Sequence, residues 1–296
     1  MDRFYSLLAD LAARGLLPDA LRYPFVARGL LAVLLLSPLL GGMSHLVVAR
    51  RLAFFSTALG QAALTGLTLG LLAGEPINAP YAGMFGFCLG SSILMVYVKR
   101  RSRLPADTLI GVFMALTLGL GICFLVAATR QFNIHQIEAV MFGSLLTVTD
   151  TDLLLLAVVA ASVLAVLARF YNALLLDSLG RPLAAASGVD TALEEYLFVV
   201  LLTVAIVVSL KVIGALLVEA LVVVPAAAAR NLAKSTRGYL GWSVATALAT
   251  GVTGIFLSTR FRVPTGGAVV LALAACFFVT LAIGALLTLH DRGADG

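Results

Sequence analysis

The segment VVARRLAFFSTALGQAALTGLTLG, Val47–Gly70, sets the reading of the whole chain. It begins at the end of one apolar run, crosses a pair of arginines (Arg50, Arg51) and enters a second apolar run with almost no charge. Within that second run Ala58, Ala62, Gly66, Gly70 and Gly74 recur every fourth residue. Four residues is close to one helical turn, so the small residues form a stripe along which another helix can approach closely. Thr57, Gln61 and Thr65 make a polar row on the neighbouring face. That row is open to two readings, hydrogen bonding between helices or the lining of a path through a membrane. An apolar helix flanked by basic residues and carrying a small-residue seam is the grammar of a membrane-spanning segment.

The rest of the chain repeats that grammar. Of 296 residues, 61% are hydrophobic and only 12% are charged, whereas soluble domains are about half apolar and about a quarter charged. Length alone would allow one or two domains, but so much apolar surface cannot be hidden in one aqueous core. A soluble enzyme is excluded, and an all-α, polytopic membrane domain is expected. A span needs about 20 predominantly apolar residues. Nine candidates lie near Phe25–Val48, Phe54–Leu72, Ala82–Val98, Leu109–Ala128, Leu153–Ala168, Tyr196–Leu210, Val212–Ala228, Tyr239–Leu257 and Ala268–Leu289. The sixth and seventh are short and nearly continuous, so the count is eight to nine. Residues 1–24 read as an amphipathic, interfacial segment with Phe4, Leu7, Leu8 and Leu11 on one face, and not as a cleaved signal peptide. The membrane domain is placed at 25–289 and a short tail at 290–296.

Basic residues give the orientation. After spans 1, 3, 5 and 7 come Arg50–Arg51, then Lys99, Arg100, Arg101 and Arg103, then Arg169 and Arg181, then Arg230, Lys234 and Arg237, with Arg292 in the tail. The opposite loops hold Arg130, Lys211, Arg260 and Arg262, and Arg3, Arg14, Arg22 and Arg28 lie near the N-terminus. The N-terminus is therefore expected outside and the C-terminus in the cytoplasm. Two loops are longer than connectors. Thr129–Asp152 on the outside holds an apolar run, Ala139–Leu146, suited to an interfacial or re-entrant helix. Phe170–Glu195 on the inside contains LGRPLAAASG, Leu179–Gly188, which reads as a short helix starting near Pro182 and stopping at Gly188.

Several chemistries are excluded. A phosphate-binding loop needs Gly before its Lys, and Lys99, Lys211 and Lys234 follow Val98, Leu210 and Ala233. The histidines, His45, His135 and His290, form no HExxH pattern, and no GxSxG elbow occurs. No disulfide framework is expected from Cys88, Cys123 and Cys276, each a small apolar residue within a packed helix. Glu219 is the carboxylate that stands out, flanked by Leu217, Val218, Ala220 and Leu221. An ionisable group there costs about 2.5–3.5 kcal/mol on insertion scales and usually faces a cavity or a partner. It could bind a cation, carry a proton or pair with a base. Lys211 and Arg28 read as interface anchors and His45 as a helix-contact histidine.

The order of segments resembles the permease subunits of the zinc/manganese/iron uptake branch of ATP-binding-cassette (ABC) importers. The likeness runs from about Tyr23 to Leu289. It rests on YPFVARGLLA in span 1, the Val47–Gly70 segment, ADTLIGVFMALTLGLG from Ala106 and VMFGSLLTVTDTDL from Val140. LGRPLAAASGV from Leu179, VIGALLVEALVVVPAAAAR from Val212 and VPTGGAVVL from Val263 complete it. The resemblance implies an ABC importer permease fold in a bacterial or archaeal cytoplasmic membrane, and a divalent metal ion (zinc, manganese or iron) as cargo. It implies a second permease copy or a paralogue, a cytoplasmic ATP-binding subunit and an extracytoplasmic metal-binding protein, with no nucleic acid. ATP would be used by the partner subunit, leaving this chain without a cofactor or catalytic residue. The ATPase would dock on Leu179, Gly180, Arg181, Pro182, Leu183 and Gly188. Family members carry an Asp and a His four residues apart in span 2, followed by a Pro, and this pair is absent here at Thr57 and Gln61. Glu219 is the expected replacement carboxylate and metal ligand, within one subunit or across a dimer. The alternatives are another metal, a complexed cargo, an accessory half paired with an intact permease, or an ion-coupled carrier using Glu219.

Overall fold

The computed structural model describes residues 23–76, 81–102, 104–128 and 148–294, and every regular element among them is a helix. In chain order these are α1 (Pro24–Ala49), α2 (Phe55–Leu72), α3 (Tyr81–Arg101), α4 (Ala106–Ala128), α5 (Asp150–Leu179), α6 (Arg181–Ala186), α7 (Thr191–Ile213), α8 (Ala215–Arg230), α9 (Thr236–Phe261) and α10 (Thr265–Ala294). Eight of them, all but α6 and α8, are long and apolar enough to cross a membrane. The interfacial segment expected at 1–24 falls almost wholly outside the described residues, as does the apolar run Ala139–Leu146.

A helix stands at each of the nine expected stretches, but the seventh, α8 with 16 residues, is too short to count as a span, and the ends of the others differ for physical reasons. The fifth span runs 30 residues, Asp150–Leu179, well beyond the expected Leu153–Ala168. Arg169, Asn172 and Asp177 lower the hydropathy without breaking the helix, so hydropathy marks where lipid ends and not where the helix ends. The long inner loop expected at Phe170–Glu195 is accordingly mostly helical. The sixth and seventh candidates are two helices, interrupted at Gly214, whose φ of 81° suits glycine. The last helix runs to Ala294, through most of the expected tail.

The chain forms two compact units: Met1–His45 with Ser144–Ala157 and Ala220–Gly296, and Leu46–Gly143 with Val158–Glu219. In the first, α9 uses its glycines as close-approach points. A Cβ at Gly254 would lie 2.5 Å from Val269 Cα of α10, and one at Gly251 would lie 2.5 Å from Val33 Cγ1 of α1. Buried hydroxyls complete the packing: Ser243 donates to Gly41 O at 2.7 Å, and Ser44 Oγ accepts the Ala226 amide at 3.1 Å, just after Pro225 disrupts the regular ladder of α8. His45 is buried and meets Tyr239 edge to face at 5.9 Å, as a helix-contact histidine should. Arg28 pairs with Asp150 at 2.9 Å.

In the second unit α2 packs against α3, α4 and α7. Its small-residue stripe is the seam with α3. A Cβ at Gly66 would meet Gly83 O at 2.6 Å, and one at Gly83 would meet Gly70 Cα at 2.7 Å. Gly74 ends the stripe in the turn after α2, with φ 94°. Cys88 is buried in this seam, with its thiol toward Leu59 O, whereas Cys123 is exposed and Cys276 half-exposed, so the packed-helix reading of the cysteines holds for the first alone. Lys211 Nζ donates to the Tyr81 hydroxyl and lies 4.1 Å from that ring's centre.

The seam makes a sharp prediction. Gly83→Leu forces apart two backbones already in contact, an overpacking that costs about 1–3 kcal/mol or more. Gly86→Leu on the same helix meets open space. The thermal midpoint of the detergent-purified chain is expected to fall for the first variant and to stay unchanged for the second; equal midpoints would show that the helices separate freely.

Candidate translocation site

The N-terminal half of α2 carries Thr57 and Gln61 one turn apart, with Gly60 between them. Glu219 lies five residues past the Gly214 break, in the first half of α8. The structure brings these elements together. The Thr57 hydroxyl lies within interaction reach of the Glu219 carboxyl. Its Oε1 lies 3.6 Å from where a Cβ at Gly60 would be, and Ala215 Cβ lies 3.7 Å from the same point. These are ordinary van der Waals separations, so the carboxylate rests against the face of α2 at Gly60. Thr57, Gln61 and Glu219 are all half-buried, neither sealed in the core nor fully open.

Gln61 adds a second feature. Its Oε1 is buried and has no hydrogen-bond partner among the described residues. A buried, unanswered amide oxygen is unfavourable unless something else answers it. Together the face of α2 and the Glu219 side chain supply a hydroxyl, an amide carbonyl and a carboxylate. These are hard oxygen donors of the kind that suit manganese, calcium or magnesium better than zinc. No cluster of three or more His, Cys, Asp or Glu side chains able to hold a metal occurs among the described residues.

Thr65, the third member of the sequence row, is placed differently. It is fully buried, donating at 2.8 Å to Thr117 O of α4 and at 3.3 Å to Gln61 O of its own helix. Its hydroxyl is committed to the α2–α4 contact, apart from Glu219. Gly60 is the residue at the candidate site that sequence reasoning did not single out. Its signal was present, a glycine lodged between two polar residues of one helix face, but it fell outside the four-residue stripe.

The short helix expected at Leu179–Gly188 is α6, with its regular turn at Arg181–Ala186. Gly180 is the residue before it and Pro182 occupies its first turn, where a missing amide costs nothing. Its end is a Schellman closure: Val189 N donates to Ala184 O and Gly188 N to Ala185 O, both at 3.0 Å, with Gly188 at φ 76°. Ala184 is buried, whereas Leu179, Pro182, Leu183 and Gly188 are exposed. An apolar tip on a stiff six-residue helix suits a docking knob.

Residues 22–284 match the ABC 3 transport family. The chain is 30% identical over 261 residues to the manganese import system permease protein ScaB of Streptococcus gordonii, covering 88% of this chain and 92% of that one. It is 28% identical over 259 residues to the high-affinity zinc uptake system membrane protein ZnuB of Haemophilus influenzae, covering 88% and 96%. Among solved structures it is similar to PsaBC from Streptococcus pneumoniae in complex with Fab, with a TM-score of 0.76 and 27% identity over 88% of this chain and 93% of that chain. The chain belongs to the ABC 3 transport family, as a multi-pass membrane permease component of a transporter.

Proposed function

We propose that this chain is the membrane-spanning subunit of an importer that moves a divalent metal ion into the cytoplasm across the cytoplasmic membrane, on a path past Thr57, Gln61 and Glu219. The observation that carries this reading is the meeting of Glu219 with Thr57 beside Gly60. Glu219 supplies from α8 the carboxylate that α2 lacks, and in this reading it does so within one subunit. The names of the relatives, permeases for manganese and zinc, support the cargo class. The oxygen donors favour manganese within it. An ion-coupled carrier built on Glu219 would need no nucleotide-hydrolysing partner, and α6, with its exposed Leu183, is better explained as the seat of one.

The remaining parts follow from that reading. ATP is hydrolysed in a separate cytoplasmic subunit seated on α6, a metal-binding protein delivers the ion from outside, and a second permease copy or paralogue completes the path. This chain contributes binding and passage and no covalent step. The sidedness derived from basic residues is supported by the ion pairs, each of which joins groups assigned to the same side: Arg50 with Asp177, Lys99 and Arg100 with Glu195, and Arg28 with Asp150.

Three outcomes are expected from the permease, ATPase and binding protein assembled in proteoliposomes. Glu219→Gln lowers metal uptake on the order of 10- to 100-fold, the range seen when even an outer-shell partner of a metal is lost; normal uptake by this variant would remove Glu219 from the path. Manganese accumulates in preference to zinc when both are offered, and a strong zinc preference would contradict the oxygen-donor set. Leu183→Asp leaves the permease folded but abolishes co-purification of the ATPase subunit, a result that would fail if the docking seat lay elsewhere.

A further inference from the structure

On either side of α6 the chain is pinned by buried or half-buried ion pairs. Asp177 lies four residues before the helix and Glu195 nine residues after it. Arg50, at the end of α1 and five residues before α2, places Nη1 3.0 Å from Asp177 Oδ2, with both side chains only 7% exposed. The same guanidinium donates through Nη2 to Leu174 O at 2.9 Å and lies 4.6 Å from the centre of the Phe198 ring. On the far flank Glu195 takes Lys99 Nζ on Oε1 at 2.7 Å and Arg100 Nη1 on Oε2 at 3.2 Å. Both cations sit in the last turn of α3. Between the two sets lies a cavity of about 210 Å³ lined in part by Arg50, Lys99, Asp177, Ser178 and Glu195.

Placement of the arginines and lysine follows from membrane orientation, which calls for basic residues on this side. That rule does not call for the acids that meet them. Carboxylates count little toward orientation, and burying an ion pair commonly fails to stabilise a fold beyond what apolar residues would. What such a pair does supply is a fixed geometry, because separating its members strands a charge. The geometry here is specific. Arg51 turns left-handed at φ 57°, with Leu52 N donating back to Val47 O at 2.9 Å, so the helical turn closes directly after Arg50 and the chain goes on to α2. Arg50 thus joins the leading flank of α6 to the start of α2. Lys99 and Arg100 join its trailing flank to α3, which is locked to α2 through Gly66 and Gly83. One pin ends on the turn that leads into α2 and the other on α3.

We propose that Arg50–Asp177 and Lys99/Arg100–Glu195 are coupling clamps: they make α6 and the α2–α3 hairpin move as one piece, so that displacement of the docking helix reaches Thr57 and Gln61. This rests on the importer reading. Asp177, Glu195 and Arg50 are positioning residues and touch no cargo.

The test reads ATP hydrolysed per ion accumulated, with manganese and zinc as probes, in the assembled permease–ATPase–binding-protein complex in proteoliposomes. Asp177→Asn and Glu195→Gln are expected to keep ATP hydrolysis while uptake falls, raising the ratio about fivefold or more, the span of an ordinary coupling energy. The exchanged pair R50D/D177R should recover part of the wild-type ratio, which a loss of general stability would not do. Glu195→Gln, whose partners are more exposed, carries the test if Asp177→Asn fails to assemble. A ratio equal to wild type in assembled Glu195→Gln, with a lowered melting temperature only, would overturn the proposal. A wild-type complex that hydrolyses ATP yet moves neither ion would overturn the importer reading and the clamps with it.

Discussion

In a medium without water, every peptide group in a span has to find its partner inside the protein. That constraint accounts for a described structure made of helices, and it also governs the side chains within them. The buried hydroxyls of the spans mostly turn back on their own helix: Thr117 to Phe113 O, Thr203 to Val199 O, Ser209 to Ala205 O and Thr250 to Thr246 O. Such local bonds cost little and signal nothing about transport. Against that background Thr57 differs, because it lies within reach of a carboxylate on another helix. Gln61 differs too, because its amide oxygen is left unanswered among the described residues. Both departures stand on one face of α2, the face that Glu219 meets.

The same constraint explains why glycine is concentrated where it is. Without a hydrophobic drive between helices in lipid, association depends on close contact. Gly66 and Gly83 supply it between α2 and α3, and Gly251 and Gly254 supply it around α9. At Gly60 the neighbours are at ordinary contact distance, Glu219 Oε1 at 3.6 Å from an added Cβ, so the close backbone approach of α2 lies in its seam with α3. The row of hydroxyls divides, with Thr57 toward α8 and Thr65 toward α4.

Much of this was legible in the sequence, because hydropathy and four-residue periodicity report burial along one helix. The spans, the break between the sixth and seventh, the short helix before Gly188 and the isolation of Glu219 could all be read that way. Apart from the link between Glu219 and Thr57, which the family resemblance suggested, what could not be read were relations between helices. Nothing local to Asp177, in the run ALLLDSL, or to the adjacent pair Glu194 and Glu195 identifies Arg50 and Lys99 as their partners. Hydropathy also ended the fifth span at Ala168, since it measures affinity for lipid, and a helix can continue into water for as long as its own hydrogen bonds and contacts hold. The separation of Thr65 from the rest of its row is of the same kind: period alone places three residues on one face, and only the positions of α4 and α8 decide which neighbour each one meets.

A carboxylate that stands on α8 while its neighbours stand on α2 makes a different device from two ligands on one helix. A pair spaced four residues apart on a single helix keeps its separation as long as that helix keeps its shape. In the arrangement around Glu219 the donor geometry depends on how α2 and α8 stand to each other, and Gly214, with its left-handed backbone, lies just before the helix that carries the carboxylate. On the proposed importer reading, affinity for a cation would then vary with helix position without any change of residue. An importer needs that property, holding its ion in one state and releasing it in another. The clamps on the flanks of α6 bear on the α2 half of this pair. Movement of α2 relative to Glu219 would loosen the donor set directly, so in this chain the coupling of docking to release would lie in the placement of one carboxylate on the neighbouring helix.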